Sequence, residues 1–330
     1  MISIIAGLLM FMFLITIHEG GHFLGAKLSN IKVNEFSIGM GPSILNKQKG
    51  ETKYSLRALP IGGYVSMEGE DESSDDPRSF ENSAPIRRFL TVFAGPFVNL
   101  LFAFVVIFGI ASFQGHVSTT IDTVSSNMPA AEAGIKSGDT IVSIDNKNIN
   151  LFNQVNQYIN ESSGKILVKI NRNGELLEFN ITPLENKDGK LIGITPKFIN
   201  NFSSNLLYSW NMLFFMIGSI WEALKGLFTG ILGFNQLSGP IGVINQVGQT
   251  LEMGFLSFLL FSAFISINLG FFNLLPIPAL DGSKLVFILI EMIIGKPINK
   301  KFEQTITIIG FIFLLGLIAI VSVKDVINLF

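Results

Sequence analysis

The sequence predicts an α-helical polytopic membrane protein of about four transmembrane helices, with a polar, strand-bearing domain inserted between the second and third. Three observations carry this. Residues of the AVILMFWYC set are 48% of the 330-residue chain and charged residues only 15%, against about 25% charged in an ordinary soluble domain; mean hydropathy is +0.50. Three uncharged apolar runs, 89–113, 254–280 and 305–323, can each cross about 30 Å of hydrocarbon at roughly 1.5 Å per residue. Between the second and third spans, residues 117–200 turn polar, and their apolar residues come in short runs. The composition excludes a disordered chain and a collagen-like fibre, and the absence of Cys excludes a disulfide scaffold and any Cys-based catalysis or metal site. A net charge of -2 gives no reason to expect nucleic-acid binding.

Taken in order, residues 1–17 are apolar and the run resumes at 23–26 after His18-Glu19-Gly20-Gly21-His22. A retained first span fits better than a cleaved signal peptide, because no Lys or Arg precedes the apolar stretch and no small-x-small site follows it. The loop 27–88 holds nine Lys and Arg, and the loop between the last two spans holds Lys284, Lys296, Lys300 and Lys301. Such loops stay on the cytoplasmic side, which places both termini and the insert outside. Within loop 27–88, Thr52–Leu56 alternates as a strand, and the acidic run 68–76 reads as a solvated linker. In the insert, Ile166–Ile170 and Leu176–Ile181 read as strands around the turn 171–174, Pro129–Ala133 as a short helix closed by Gly134, and Thr140–Ile144 as a strand. About eighty residues suffice for one small domain. Residues 206–234 carry Glu222 and Lys225 three apart on one helix face; they read as an amphipathic interfacial helix, with a fifth span as the alternative. The expected domains are therefore 1–113, 114–200, 201–253 and 254–330.

The chemistry centres on His18-Glu19-Gly20-Gly21-His22. On a helix, residues i and i+4 share a face, so two imidazoles converge on one Zn²⁺ while the Glu beside the first can act as a base. Two His and a Glu in an apolar helix are expensive unless paired or ligated. A hydrolytic zinc site needs a third protein ligand. The remaining His, His116, reads as a solvated loop residue, whereas Asp281 follows Pro276-Ile277-Pro278 at the end of the third span, where two prolines break the helix. The first span enters from outside and carries His18 about 26 Å inward; the third runs the same way, so Asp281 reaches a similar depth. An odd number of additional spans would spoil that agreement.

With these motifs in place, the chain resembles the site-2 protease family of intramembrane zinc metalloproteases over nearly its whole length, in the bacterial form with a single PDZ insert. The string 129–139, Pro-Ala-Ala-Glu-Ala-Gly-Ile-Lys-Ser-Gly-Asp, resembles a bacterial PDZ domain; Ala94-Gly95-Pro96-Phe97-Val98-Asn99 matches the family's AGPxxN string; and Asn273–Gly282 matches its Asn-x-x-Pro-x-Pro-x-Leu-Asp-Gly string. The resemblance implies zinc held by His18, His22 and Asp281, and Glu19 as catalytic base. It also implies that Asn268 and Asn273 hold an unwound substrate backbone. Residues 35–67 resemble the family's membrane re-entrant β-hairpin, whose Gly62 and Gly63 would lie against substrate. Gly20-Gly21 and Ser283 depart from the common pattern without touching a ligand.

The activity so implied is endopeptidase cleavage of the membrane segments of single-span proteins, such as anti-sigma factors or signal-peptide remnants, within a bacterial plasma membrane. The PDZ domain would take peptide termini or filter substrates by size. The alternative is a catalytically silent PDZ-bearing scaffold, which would lose metal ligands that this chain keeps. A metal transporter would spread carboxylates and histidines over several spans, which this chain does not do.

Overall fold

The computed structural model describes residues 2–70, 72–187, 189–233 and 238–327. In chain order the elements begin with α1 (Ile2–Leu28), β1 (Val33–Lys49), β2 (Thr52–Met67), α2 (Pro85–Gln114), β3 (His116–Val124), α3 (Pro129–Ala133), β4 (Thr140–Ile144), β5 (Lys147–Asn148) and α4 (Phe152–Glu161). They continue with β6 (Ile166–Arg172), β7 (Glu175–Ile181), β8 (Leu184–Asn186), β9 (Gly189–Leu191), β10 (Ile194–Ile199), α5 (Phe202–Phe228), α6 (Pro240–Glu252), α7 (Phe255–Leu274), α8 (Asp281–Ile294) and α9 (Lys300–Ile327). The chain divides into two compact units: Met1–Val106 with Met216–Phe330, and Ile107–Phe215.

In the first unit, α1, α2, α7 and α9 are the four described helices long and apolar enough to cross a membrane, the number the sequence predicts. The expected interfacial segment forms α5, where Glu222 and Lys225 pair at 2.9 Å on the exposed face; its far end, Phe234, lies outside the described residues. Helix α6 was not expected. Pro240 at its start donates no amide bond, which suits a first helical turn. The buried Asp325 of α9 accepts the Gly242 N–H at 2.8 Å and so caps α6 from another helix. In α9 the buried residues are Gly310 and Asp325.

Strands β1 and β2 pair as an antiparallel hairpin whose register doubles. Ile38 faces Gly63 and Ser37 faces Tyr64 along one side of β1, while Glu35, Phe36, Ser37 and Ile38 also face Lys53, Tyr54, Ser55 and Leu56 in ascending order. The start of β1 is thus flanked on both sides by β2, which makes a small folded sheet instead of a flat ribbon. The acidic run beyond it is not a free linker. Glu68 accepts from Asn34 at 2.9 Å, Asp76 pairs with Lys32 at 3.2 Å and Glu70 with Lys284 at 2.7 Å; Asp71 lies outside the described residues. Cations distant in sequence hold this loop, a tie that local composition does not reveal.

The second unit carries a sheet in the order β10-β3-β4-β6-β7, with β5 beside β4. Its apolar core takes Ile121, Ile141, Ile144, Ile166, Val168 and Ile170 from the strands and Val155 and Ile159 from α4. Asn173 and Gly174, both at positive φ, turn β6 into β7 with Arg172 opposite Glu175, as an Asn-Gly hairpin requires. His116 is buried, contrary to the solvated reading. Its Nδ1 lies 3.1 Å from Asn205 Oδ1, its Nε2 3.1 Å from Ser204 Oγ, and its ring stacks on Tyr208 at 4.3 Å. The partners come from the first turns of α5, almost ninety residues on, which is why local polarity misread it.

Candidate metal centre

The centre begins with two helices that approach closely. A Cβ at Gly25 of α1 would stand 2.9 Å from Thr91 Cα, and one at Gly21 would overlap Ala94 O. On α2, a Cβ at Gly95 would overlap the His22 ring. Small residues on both sides of this seam let the backbones meet and leave room for the imidazoles of His18 and His22, one turn apart on α1 and both buried. Gly20 meets nothing within 4 Å of a built Cβ, so only Gly21 of the pair is required by packing.

The third side chain arrives through a broken helix. α7 ends at Leu274, and α8 begins at Asp281. Across the Pro276-Ile277-Pro278 turn between them, Leu280 N–H donates to Ile277 O at 3.1 Å and Ser283 Oγ donates to Leu280 O at 2.8 Å. Ala279 sits at φ 75°, a left-handed conformation costing roughly 1–2 kcal/mol for a residue with a Cβ. The surrounding bonds hold it there, with Asp281 as the first residue of the next helix.

Three atoms then converge. His18 Nε2 and His22 Nε2 lie 3.2 Å apart, and Asp281 Oδ2 lies 3.1 Å from the first and 3.2 Å from the second. His22 Nδ1 donates to Thr91 O at 3.0 Å, so the Nε2 of the neutral ring carries a lone pair toward the centre. Asp281 Oδ2 is buried and receives no hydrogen bond. Lone pairs facing one another repel unless a proton or a cation lies between them. The near-equal spacings are close to the edge, about 3.3 Å, of a tetrahedron around an ion with bonds of roughly 2.0–2.1 Å, and its fourth corner is left for another ligand. The donor set of two imidazoles and a carboxylate suits zinc. Among the described residues these three form the group able to hold a metal.

The other predicted site residues fall at different distances from this group. Glu19 lies beside β2: a Cβ at Gly63 would touch Glu19 Cγ at 3.6 Å and crowd Ser37 O at 2.7 Å, so a side chain there would press on the paired strand. Gly62, at φ 76°, neighbours Met40. Asn268 is in the middle of α7 and donates to Phe264 O of its own helix at 2.8 Å; Asn273 stands on the last turn of α7. Sequence reasoning missed Thr91 and Ala279. The first acts through its backbone carbonyl and the second through its φ, and neither property is written in a side chain.

A family model described as peptidase family M50 matches residues 6–317. The chain is 40% identical over 98% of its length to 97% of a protein from Clostridium acetobutylicum named as a zinc metalloprotease. It is 37% identical to another so named from Clostridium perfringens, with 98% of each chain covered. It is also 30% identical over 99% of its length to 98% of a further one from Staphylococcus aureus. Among solved structures, the PDZ domain of an SdrC-like protein from Listeria monocytogenes is similar to 24% of this chain over 88% of its own, at 21% identity and a TM-score of 0.22.

Proposed function

Because the chain belongs to peptidase family M50 and is a zinc metalloendopeptidase of the membrane, we propose that it hydrolyses peptide bonds inside the bilayer, in the membrane segments of single-span proteins. The observation that supports this most is the convergence of His18, His22 and Asp281 on one point, with Glu19 next in sequence to the first. His18, His22 and Asp281 would be the zinc ligands. Bound zinc supplies Lewis acidity to the attacking water and to the scissile carbonyl. Glu19 takes the proton of that water and delivers it to the departing amide nitrogen as the peptide bond breaks.

A helical substrate hides its carbonyls in hydrogen bonds, so cleavage requires an extended segment. Residues 59–67 of β2 run past Glu19 at Gly63 and pair on one side with β1. Their other edge suits an added substrate strand, with Gly62 and Gly63 keeping that edge low and Asn268 and Asn273 holding the backbone from α7. In this reading β1 and β2 re-enter the membrane, the basic loops face the cytoplasm, and both termini and the inserted domain lie outside. The inserted domain takes peptide ends at a sheet edge.

The test is cleavage of a single-span reporter, trimmed on its outer side, in membrane vesicles. Native protein cuts it, and Glu19→Gln lowers the rate by about 10²–10⁴-fold while bound zinc stays the same. Equal cleavage by both removes Glu19 from the mechanism, and a native chain that binds no zinc and cuts nothing returns the scaffold reading.

A further inference from the structure

Asn99 is fully buried on α2, and neither atom of its side-chain amide has a hydrogen-bond partner among the described residues. At the metal centre one ring nitrogen is in the same condition. His18 Nδ1 is buried and unpartnered, whereas His22 Nδ1 donates to Thr91 O. Buried polar groups are almost always paired, so two such groups at one place in one seam call for a common explanation.

They share a level of that seam. α1 and α2 run in opposite directions, and their contacts bracket the position from both sides. On one side Gly25 meets Thr91 and His22 meets Gly95; on the other, the Phe13 ring packs edge-on against Phe102 with 5.5 Å between centroids. On α1 the residue one turn from His22 toward Phe13 is His18. On α2 the residue one turn from Gly95 toward Phe102 is Asn99, on the stripe that includes Thr91 and Gly95. The backbone at Asn99 is fixed from a third helix, since Ser266 Oγ donates to Asn99 O at 2.9 Å. The amide itself makes no bond, so it can turn its oxygen toward α1 without giving one up.

We propose that Asn99 is a positioning residue of the metal centre: its amide oxygen accepts the Nδ1–H of His18 and holds that ring with Nε2 toward the ion. It would do for His18 what the Thr91 carbonyl does for His22, completing the outer shell of both imidazoles. A metal-bound His commonly gives its second N–H to such an acceptor, and loss of the acceptor weakens metal binding by about 10–100-fold. The inference rests on the zinc reading of His18, His22 and Asp281.

The experiment is zinc affinity of the full-length protein in detergent, measured by competition with a chromophoric chelator. Asn99→Leu keeps the size of the side chain and removes the acceptor; it is expected to weaken zinc binding by about 10–100-fold. Asn99→Asp keeps an acceptor oxygen and is expected to stay near the native affinity. In a His18→Ala background, Asn99→Leu is expected to make no further difference. Should Asn99→Leu fail to fold, Asn99→Ala carries the same expectations. Native affinity in a folded Asn99→Leu protein overturns the proposal, as does equal loss with Leu and Asp, or an undiminished loss without His18. If the native chain takes up no zinc, the metal reading itself falls and this proposal with it, an outcome distinct from the other three.

Discussion

Asp139 in the inserted unit is buried and Asp281 in the helical unit has a buried Oδ2, and they meet opposite kinds of partner. Asp139 is 1% exposed and receives Arg172 Nε at 2.7 Å, Arg172 Nη2 at 2.7 Å and the Lys136 N–H at 2.7 Å. Burial alone pushes its carboxyl up, but Arg172 and the Lys136 amide outweigh that and hold it below the usual carboxylate range. Asp281 meets two imidazole nitrogens, and its Oδ2 receives no hydrogen bond. The first carboxylate is balanced by the chain and needs nothing more. The second faces two imidazole nitrogens in a group that could hold a metal ion. Burial by itself therefore says little about function; the sign of what surrounds a buried charge says more.

That contrast can be broken in order of expected effect. Asp281→Ala should abolish zinc retention under chelator competition, and Asp139→Ala should leave it unchanged; zinc lost equally from both would erase the distinction. Asp139→Ala removes the acceptor of Arg172 and of the Lys136 N–H and should destabilise the inserted unit, read as faster amide exchange in β4 and β6 with the helical unit unaffected. His116 supplies a smaller, pH-dependent effect. Burial lowers its pKa, only partly offset by the Asn205 hydrogen bond, so the folded unit disfavours the charged ring. Stability from this group is whole above about pH 6.5, the unfolded value, and declines as pH falls below it, by at most about 1.4 kcal/mol per pH unit for one proton. Thermal melts between pH 5 and 8 should show that slope in the native chain and lose it in His116→Phe. The smallest effect is at Gly20. Gly20→Ala should stabilise α1 by about 1 kcal/mol, because nothing stands near a Cβ there, whereas Gly21→Ala should destabilise it against Ala94. Like signs in thermal unfolding of the two variants would contradict the packing described.

Much of the centre was legible because its information is local or periodic. His18 and His22 are one helical turn apart, and two prolines announce the break before Asp281. The Asn-Gly turn after Arg172 and the helix from Pro129 follow the same logic. What was not legible depends on residues far apart in sequence. His116 is buried by Ser204, Asn205 and Tyr208, the acidic loop is tied by Lys32 and Lys284, and the doubled register of β1 comes from a fold-back that alternation cannot count. Helix α6 went unseen because it is short and its cap is supplied by α9.

That cap imposes an order of events during synthesis. Asp325 follows the amide it satisfies by 83 residues, and at about 5–20 residues per second α6 waits roughly 4–17 s for it. Until then the Gly242 N–H lacks the acceptor that the finished fold supplies. The last helix is thus a keystone: although its buried residues are only Gly310 and Asp325, its arrival lets an earlier helix seal its own end.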